Sequence, residues 1–295
     1  MPGVVSSAAG AAAVSAVAPA VVLAAALLHA VWNGLAHGIK DKLAGFTLIN
    51  LAYTGCGAVM VCLTPMPDPA AWPYIAASAV SQVVYQVLLL RAYQLGDFGQ
   101  MYPIARGTSP LLVAVVSTTV LGQALPARDV AGVVVISCGL AGLALADGIP
   151  GRAQLPALAA AAGTGVMIAL YTIVDGTGVR HSGTVTGYLA WLFLCQGPVL
   201  PLIAWARRGR SLLGQLRPVS GRGLTGGLLS LLAYGLVVWA QTRGNLATIA
   251  ALRETSIVMA AVIGTLVFRE GFGYLRVTAS ATVLAGIVVL ELAHP

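Results

Sequence analysis

Of the 295 residues, 58% are hydrophobic and only 8% charged, against roughly 25% charged in a soluble domain, so the chain cannot clothe a globule in a hydrated shell and must live in lipid. Its 16 basic and 9 acidic residues leave a net charge of +7, but the basic residues are spread through short loops without interleaved aromatics, which excludes a nucleic-acid-binding surface. At about 20 residues per membrane crossing, ten crossings consume most of the length and leave no room for a soluble domain.

Uncharged runs bounded by Gly, Pro or charge predict spans near 18–38, 44–64, 71–93, 98–121 and 129–146, then 155–175, 185–206, 223–242, 246–268 and 275–292. The Ala- and Val-rich N-terminus lacks a positive leading region and runs into the first span, so it does not read as a cleavable signal. In span one, His29, Asn33 and His37 recur every four residues with Trp32 alongside. Span three repeats the spacing with Gln82, Tyr85, Gln86 and Tyr93, span four with Tyr102 and Arg106, span six with Tyr171 and Asp175, and span eight with Ser230, Tyr234 and Gln241. No water hydrates a side chain within the hydrocarbon, so such stripes face other helices or a cavity. Either they line one central cavity, or they are interhelical hydrogen-bond partners with no further role. His37, Asp175, Tyr93 and Tyr102 lie near span ends, where solvation costs little. Gly132, Gly139, Gly142 and Gly286 suit close helix contact, and Pro103, Pro110, Pro198 and Pro201 can kink spans four and seven. Cys56, Cys62, Cys138 and Cys195 fall in apolar runs without a CxxC pair and read as core packing, not as disulfides or metal ligands.

The sequence repeats itself. A shift of 147 residues lays Arg106-Gly107-Thr108-Ser109 on Arg253-Glu254-Thr255-Ser256, Gln123 on Glu270 and Gly139 on Gly286. The expected organisation is a five-helix repeat over 1–148, a linker over 149–156 and a second five-helix repeat over 157–295. An odd number of spans per half makes the second enter the membrane from the opposite side. The predicted fold is therefore an all-α integral membrane protein, ten transmembrane helices arranged as two inverted repeats around a central cavity. Ten basic residues fall in the loops of one face (Lys40, Lys42, Arg152, Arg207, Arg208, Arg210, Arg217, Arg222, Arg269 and Arg276) and three on the other (Arg128, Arg180 and Arg243). That imbalance puts the first face in the cytoplasm and both termini outside.

Arg106, Arg253 and Glu254 carry the strongest chemical signal, because a charge near the bilayer centre costs on the order of 3 kcal/mol or more. One reading is structural: Glu254 of one half neutralises Arg106 of the other. The other is functional: arginine offers a fork to an anionic group on the cargo, while Glu254 gains and loses a proton. Arg253 and Glu254 are adjacent, about 100° apart on a helix, and are not expected to pair. Counting Arg91 as intramembrane, three arginines oppose one central carboxylate, which tilts the cavity positive and favours zwitterionic or anionic cargo.

These residues resemble the drug/metabolite transporter superfamily, in particular its ten-helix EamA-type permeases. Leu28-His29-Ala30-Val31-Trp32-Asn33 resembles the family's first helix, and Leu90-Arg91-Ala92-Tyr93-Gln94-Leu95-Gly96-Asp97 with Tyr102-Pro103-Ile104-Ala105-Arg106-Gly107 its third and fourth. Ala250-Ala251-Leu252-Arg253-Glu254-Thr255-Ser256 resembles its ninth. Members usually show Gly-Glu after helices four and nine, where this chain has Gly122-Gln123 and Arg269-Glu270. The resemblance implies a carrier, often an exporter of amino acids, metabolites or drugs driven by ion gradients.

The expected function is a secondary transporter in the plasma (inner) membrane that exports small organic metabolites such as amino acids by alternating access, with H+ as coupling ion and no cofactor or metal. Cargo contact is expected from Trp32, Asn33, Tyr85, Gln86, Arg106, Tyr171, Tyr234 and Arg253, and proton coupling from Glu254 and His29. The alternatives are a multidrug or cationic-compound efflux carrier, and beyond it a passive channel or membrane scaffold. An enzyme is not expected: HExxH, GxSxG and paired intramembrane aspartates are all missing from the sequence.

Overall fold

The computed structural model describes residues 3–96, 98–145, 151–259 and 274–291, and they are helical, with no strand among the described residues. The helices are α1 (Gly3–His37), α2 (Lys42–Leu63), α3 (Trp72–Leu95), α4 (Phe98–Thr119), α5 (Ala127–Ala144), α6 (Leu155–Gly178), α7 (Val185–Gln196), α8 (Val199–Arg208), α9 (Ser211–Leu216), α10 (Ser220–Gln241), α11 (Leu246–Arg253) and α12 (Tyr274–Glu291). Among the described residues, six stretches are long and apolar enough to cross a membrane: Val17–Ala36, Lys42–Leu63, Pro69–Leu95, Arg152–His181, Val185–Arg208 and Ser211–Gln241. The chain is a multi-pass membrane protein. The spans expected at 98–121, 129–146, 246–268 and 275–292 are not among these six: the first half of α4 is polar around Arg106, Val277–Leu290 counts as a shorter apolar helix, and 260–273 lie outside the described residues.

Local chemistry sets the helix ends. Asp41 Oδ1, Thr184 Oγ1 and Asn245 Oδ1 accept the N–H groups of Ala44, Gly187 and Ala247 at the starts of α2, α7 and α11. The seventh expected span is two helices, because Gly197-Pro198 breaks it between α7 and α8. In contrast, α4 continues through Pro103 and Pro110. Gly209 ends α8 with φ +55°, a conformation that glycine adopts without strain.

The helices pair across the two halves of the sequence. The side of α3 lies along α6 and the side of α1 along α10, while α5 packs on α12 and α2 on α7. The α5–α12 contact is a glycine crossing. A methyl carbon at Gly139 would stand 2.8 Å from Val283 Cγ2 and 3.0 Å from Val283 N, and one at Gly286 would stand 2.7 Å from Ile136 Cγ1 and 2.9 Å from Ile136 N. Main-chain atoms cannot retreat as side chains do. Gly142, also expected at this contact, has room for a methyl, whose nearest neighbour would be 4.0 Å away.

Two sequence expectations are corrected here. Cys62, Cys138 and Cys195 are exposed on the outside of the bundle, since a helix in lipid is apolar on its outer face as well as its inner one. Arg91 is also exposed. It lies in the last turns of α3, from which a long side chain can reach past the hydrocarbon.

A polar clasp joins two loops that the charge count places on one face. Arg208 grips Asp41 with both terminal nitrogens, Nη1 to Oδ2 and Nη2 to Oδ1 at 3.1 Å, and Nη1 also donates to Gln215 Oε1 at 2.6 Å. These bonds hold the Asp41 carboxyl below its ordinary value of 3.8.

Gly139→Val and Gly286→Val, made singly, are each expected to cost about 1–3 kcal/mol by overpacking, read as a lowered melting temperature in lipid nanodiscs; Gly142→Ala is expected to leave it unchanged. For the clasp, a depressed folded-state pKa stabilises above the unfolded value and is lost as pH falls through the folded value. Asp41→Asn keeps the helix cap and is expected to cost about 1 kcal/mol or less at neutral pH. That difference should vanish well below pH 3.8, as thermal melts across pH will reveal.

Candidate functional site

A cavity of about 60 Å³ lies between helices of both halves. His29 and Trp32 come from α1, Phe46, Ile49 and Tyr53 from α2, and Gln82, Tyr85 and Gln86 from α3. The second half supplies Tyr171 from α6, Phe193 from α7, and Ser230 and Tyr234 from α10. The polar stripes read from helical spacing thus converge on one void. At this size it holds a few water molecules, well below the 300–1,000 Å³ typical of sites for drug-sized ligands.

Most polar groups around the void are held by partners on other helices. Asn50 Nδ2 donates to Gln86 Oε1 at 2.6 Å, and the hydroxyls of Tyr53 and Ser230 share a hydrogen bond of 2.6 Å. Trp32 Nε1 donates to His29 Nδ1 at 3.1 Å. Its other ring nitrogen, Nε2, is 3.5 Å from Arg106 Nη1, so the imidazole bridges the indole of Trp32 and the guanidinium of Arg106.

At one end of the void sits a buried charge cluster. Arg106 and Arg253 are 3% and 4% exposed and Glu254 is 0% exposed. Arg106 Nε donates to Glu254 Oε2 at 2.8 Å, and its Nη2 to Ser256 Oγ at 3.4 Å. Removing one member of such a pair costs about 3–5 kcal/mol, because the other charge is left stranded. Arg253 Nε stands 3.8 Å from Glu254 Oε1, too far for a hydrogen bond, and Arg253 Nε and Nη2 have no hydrogen-bond partner.

The two neighbours come within ion-pair range because the helix does not continue regularly between them. Glu254 is a turn residue with ψ −11°, and the main chain bonds at three-residue spacing on either side, Glu254 N to Ala251 O and Ile257 N to Glu254 O, both at 3.0 Å. The 100° separation expected on a regular helix therefore does not apply.

The other end holds a carboxylate without a cation among its hydrogen-bond partners. Asp175 of α6 is 0% exposed. Its Oδ1 accepts from Tyr188 Oη at 2.7 Å, while Oδ2 accepts from Tyr234 Oη and from Gln82 Nε2, the latter at 3.3 Å. Between the two ends stands an aromatic stack. Tyr171 packs edge-on against Tyr85 and Tyr234 with ring centres 5.6 and 6.0 Å apart, and the Arg253 guanidinium carbon lies 6.0 Å from the Tyr171 ring centre.

Of the ten residues singled out in the sequence, His29, Trp32, Tyr85, Gln86, Tyr171 and Tyr234 line the void. Arg106, Arg253 and Glu254 stand behind that lining, Arg106 against His29 and Arg253 against Tyr171. Asn33 does not reach it: its Nδ2 donates to the His29 carbonyl of its own helix at 2.7 Å. The side chains of His37 and Tyr102, and Arg269-Glu270, lie outside the described residues. Asp175 was discounted for its place near a span end, yet it is sealed under α3, α7 and α10. Its four-residue spacing from Tyr171 was the available signal. The expected excess of three arginines over one carboxylate is corrected as well. With Arg91 exposed and Asp175 buried, two guanidiniums and two carboxylates flank the void.

Residues 155–292 match the model of the EamA-like transporter family. Comparison with curated proteins gives no match. Among solved structures, one described only as the crystal structure of a protein aligns over 94% of this chain and 98% of that chain, with TM-score 0.73 at 19% identity, which shows a shared fold. Residues 155–292 are thus an EamA-like transporter domain of the drug/metabolite transporter superfamily, set in a chain that shares its overall fold with that solved structure.

Proposed function

We propose that the chain is a secondary transporter that exports small zwitterionic metabolites, amino acids foremost, across the plasma membrane by alternating access driven by the proton gradient. The observation that carries this reading is the polarity of the cavity. Behind its lining an incompletely paired guanidinium, Arg253, faces the Tyr171 ring, Tyr171 packs on Tyr234, and Tyr234 bonds to Asp175, a carboxylate without a cation among its hydrogen-bond partners. A zwitterion satisfies both ends at once. Its carboxylate meets Arg253 beside the Arg106–Glu254 pair, and its ammonium approaches Asp175 over the faces of Tyr171 and Tyr234. Trp32, Tyr85 and Gln86 shape the space between.

The framework we propose is a pair of inverted five-helix repeats, residues 1–148 and 157–295, with both termini outside. Its support is the 147-residue register and the reciprocal packing. The contact of α3 with α6 has its counterpart in α10 with α1, and α5 meets α12 through glycines one register apart, Gly139 and Gly286. A cavity between two such repeats is where secondary transporters place their cargo. A second reading, efflux of cationic compounds, is favoured by Asp175 and its ring of tyrosines alone, and it leaves the guanidinium end without a task.

Reconstituted in liposomes, the protein is expected to catalyse saturable counterflow of an amino acid mixture; linear, non-saturating flux would identify a channel, and no flux would leave a scaffold. Arg253→Gln should raise KM for cargo bearing a carboxylate while hardly affecting the corresponding amides. Tyr171→Phe, which keeps the ring, should transport nearly as the parent does, and Tyr171→Ala should not. Equal loss of carboxylate and amide cargo in Arg253→Gln would exclude a carboxylate-binding role for that residue.

A further inference from the structure

Two buried carboxylates flank the cavity, and their surroundings differ in kind. Glu254 is bonded to Arg106 and has a second guanidinium, Arg253, at 3.8 Å. Asp175 is surrounded instead by neutral donors. Tyr188 on α7, Tyr234 on α10 and Gln82 on α3 all bond to it, and Ser78 on α3 adds a hydroxyl. The titratable groups that face it from the packed helices are those two tyrosines, and among the described residues no lysine, arginine or histidine hydrogen-bonds to it.

Asp175 also adjoins the cavity through its partners. Gln82 and Tyr234 are both its donors and part of the cavity lining. A proton delivered by cavity water therefore reaches Oδ2 once either side chain turns aside. The partners of Glu254 are a guanidinium and a break in the helix, and neither Glu254 nor Arg106 lines the cavity.

We propose that Asp175, rather than Glu254, takes up and releases the coupling proton, and that its charged form clamps α3 of the first half to α6, α7 and α10 of the second. This rests on the transporter reading above. The step is a plain proton transfer: a hydronium in the cavity gives its proton to Asp175 Oδ2, an O–H bond forms, and neutral water remains. An ionised carboxylate accepts at both oxygens, whereas a carboxylic acid is itself a donor with less accepting capacity. Protonation therefore breaks at least one bond to Tyr234 or Gln82 and frees the halves to move past each other. The ammonium of a cargo zwitterion competes for the same oxygen, so proton and cargo exclude one another, as exchange in opposite directions requires.

Infrared difference spectra of the protein in lipid, recorded as pH is lowered from about 8 to about 5, the range in which physiological proton carriers titrate, test the proposal without any cargo. The expected result is a neutral-carboxyl C=O band that grows on acidification, is lost in Asp175→Asn and persists in Glu254→Gln. Tyr234→Phe removes a donor to the charged form, so the band should grow in at higher pH; this variant serves if Asp175→Asn fails to fold. In proteoliposomes, Asp175→Asn, which removes both the proton site and the partner of the cargo ammonium, should lose proton-gradient-driven accumulation. A band that survives Asp175→Asn, an unmoved titration in Tyr234→Phe, or gradient-driven accumulation by Asp175→Asn would each overturn the proposal. The absence of transport by the parent protein alongside the expected spectra would instead overturn the transporter reading.

Discussion

A charged side chain in hydrocarbon has no water to turn to, and that constraint organises the centre of this molecule. Arg106 and Glu254 come from segments 148 residues apart in sequence and meet at 2.8 Å, both buried inside the bundle, where a lone charge is costly. The pair sits beside the cavity and not within it. It therefore sets the geometry against which other side chains can be placed, with His29 resting on Arg106 and Tyr171 facing Arg253. The glycine crossing between α5 and α12 serves the same end by a different force. Close main-chain approach there depends on van der Waals packing, the means open to helices that gain nothing from expelling water.

Given that frame, the cavity's chemistry follows from what remains unpaired. Neutral polar groups around the void find partners, as Asn50 does in Gln86 and Tyr53 in Ser230. Such bonds fix rotamers and make the lining rigid. The charged groups are less completely matched. Arg253 retains two buried nitrogens without hydrogen bonds, and Asp175 is held by hydroxyls and an amide only. Buried groups are ordinarily satisfied, so the two Arg253 nitrogens without partners stand out beside the void, whereas both Asp175 oxygens accept hydrogen bonds.

The helical layout was legible in the sequence because lipid imposes a length and an apolarity on each span, and the stripes were legible because a polar residue in such a span must face inward. Tyr85, Gln86, Tyr171 and Tyr234 were found in this way. The same logic failed at Asp175. Position along a span does not measure solvation here, because helix packing buries the end of α6 under α3, α7 and α10. Asn33 shows the opposite limit. It has the right spacing, yet a carbonyl one turn away satisfies it, and no periodicity distinguishes that from a side chain aimed into a void. The Arg253–Glu254 contact was missed because spacing rules presume a regular helix, and the chain turns at Glu254.

The near-duplication of the sequence makes its departures informative. Arg106-Gly107-Thr108-Ser109 and Arg253-Glu254-Thr255-Ser256 differ only at the second position. Had the halves kept glycine at both places, two buried guanidiniums would face the centre with no carboxylate beside them, a burden that the insertion cost of charge makes hard to sustain. Had both carried glutamate, each arginine would have its own partner and nothing would be left to act on a ligand. One glutamate shared between two arginines is the arrangement that secures the frame and leaves a cation over. The substitution also falls where the main chain departs from a regular helix, and α4 runs unbroken through the corresponding Gly107. A single change in an otherwise repeated tetrapeptide thus coincides with the ion pair to Arg106, the interrupted helix and the unmatched guanidinium.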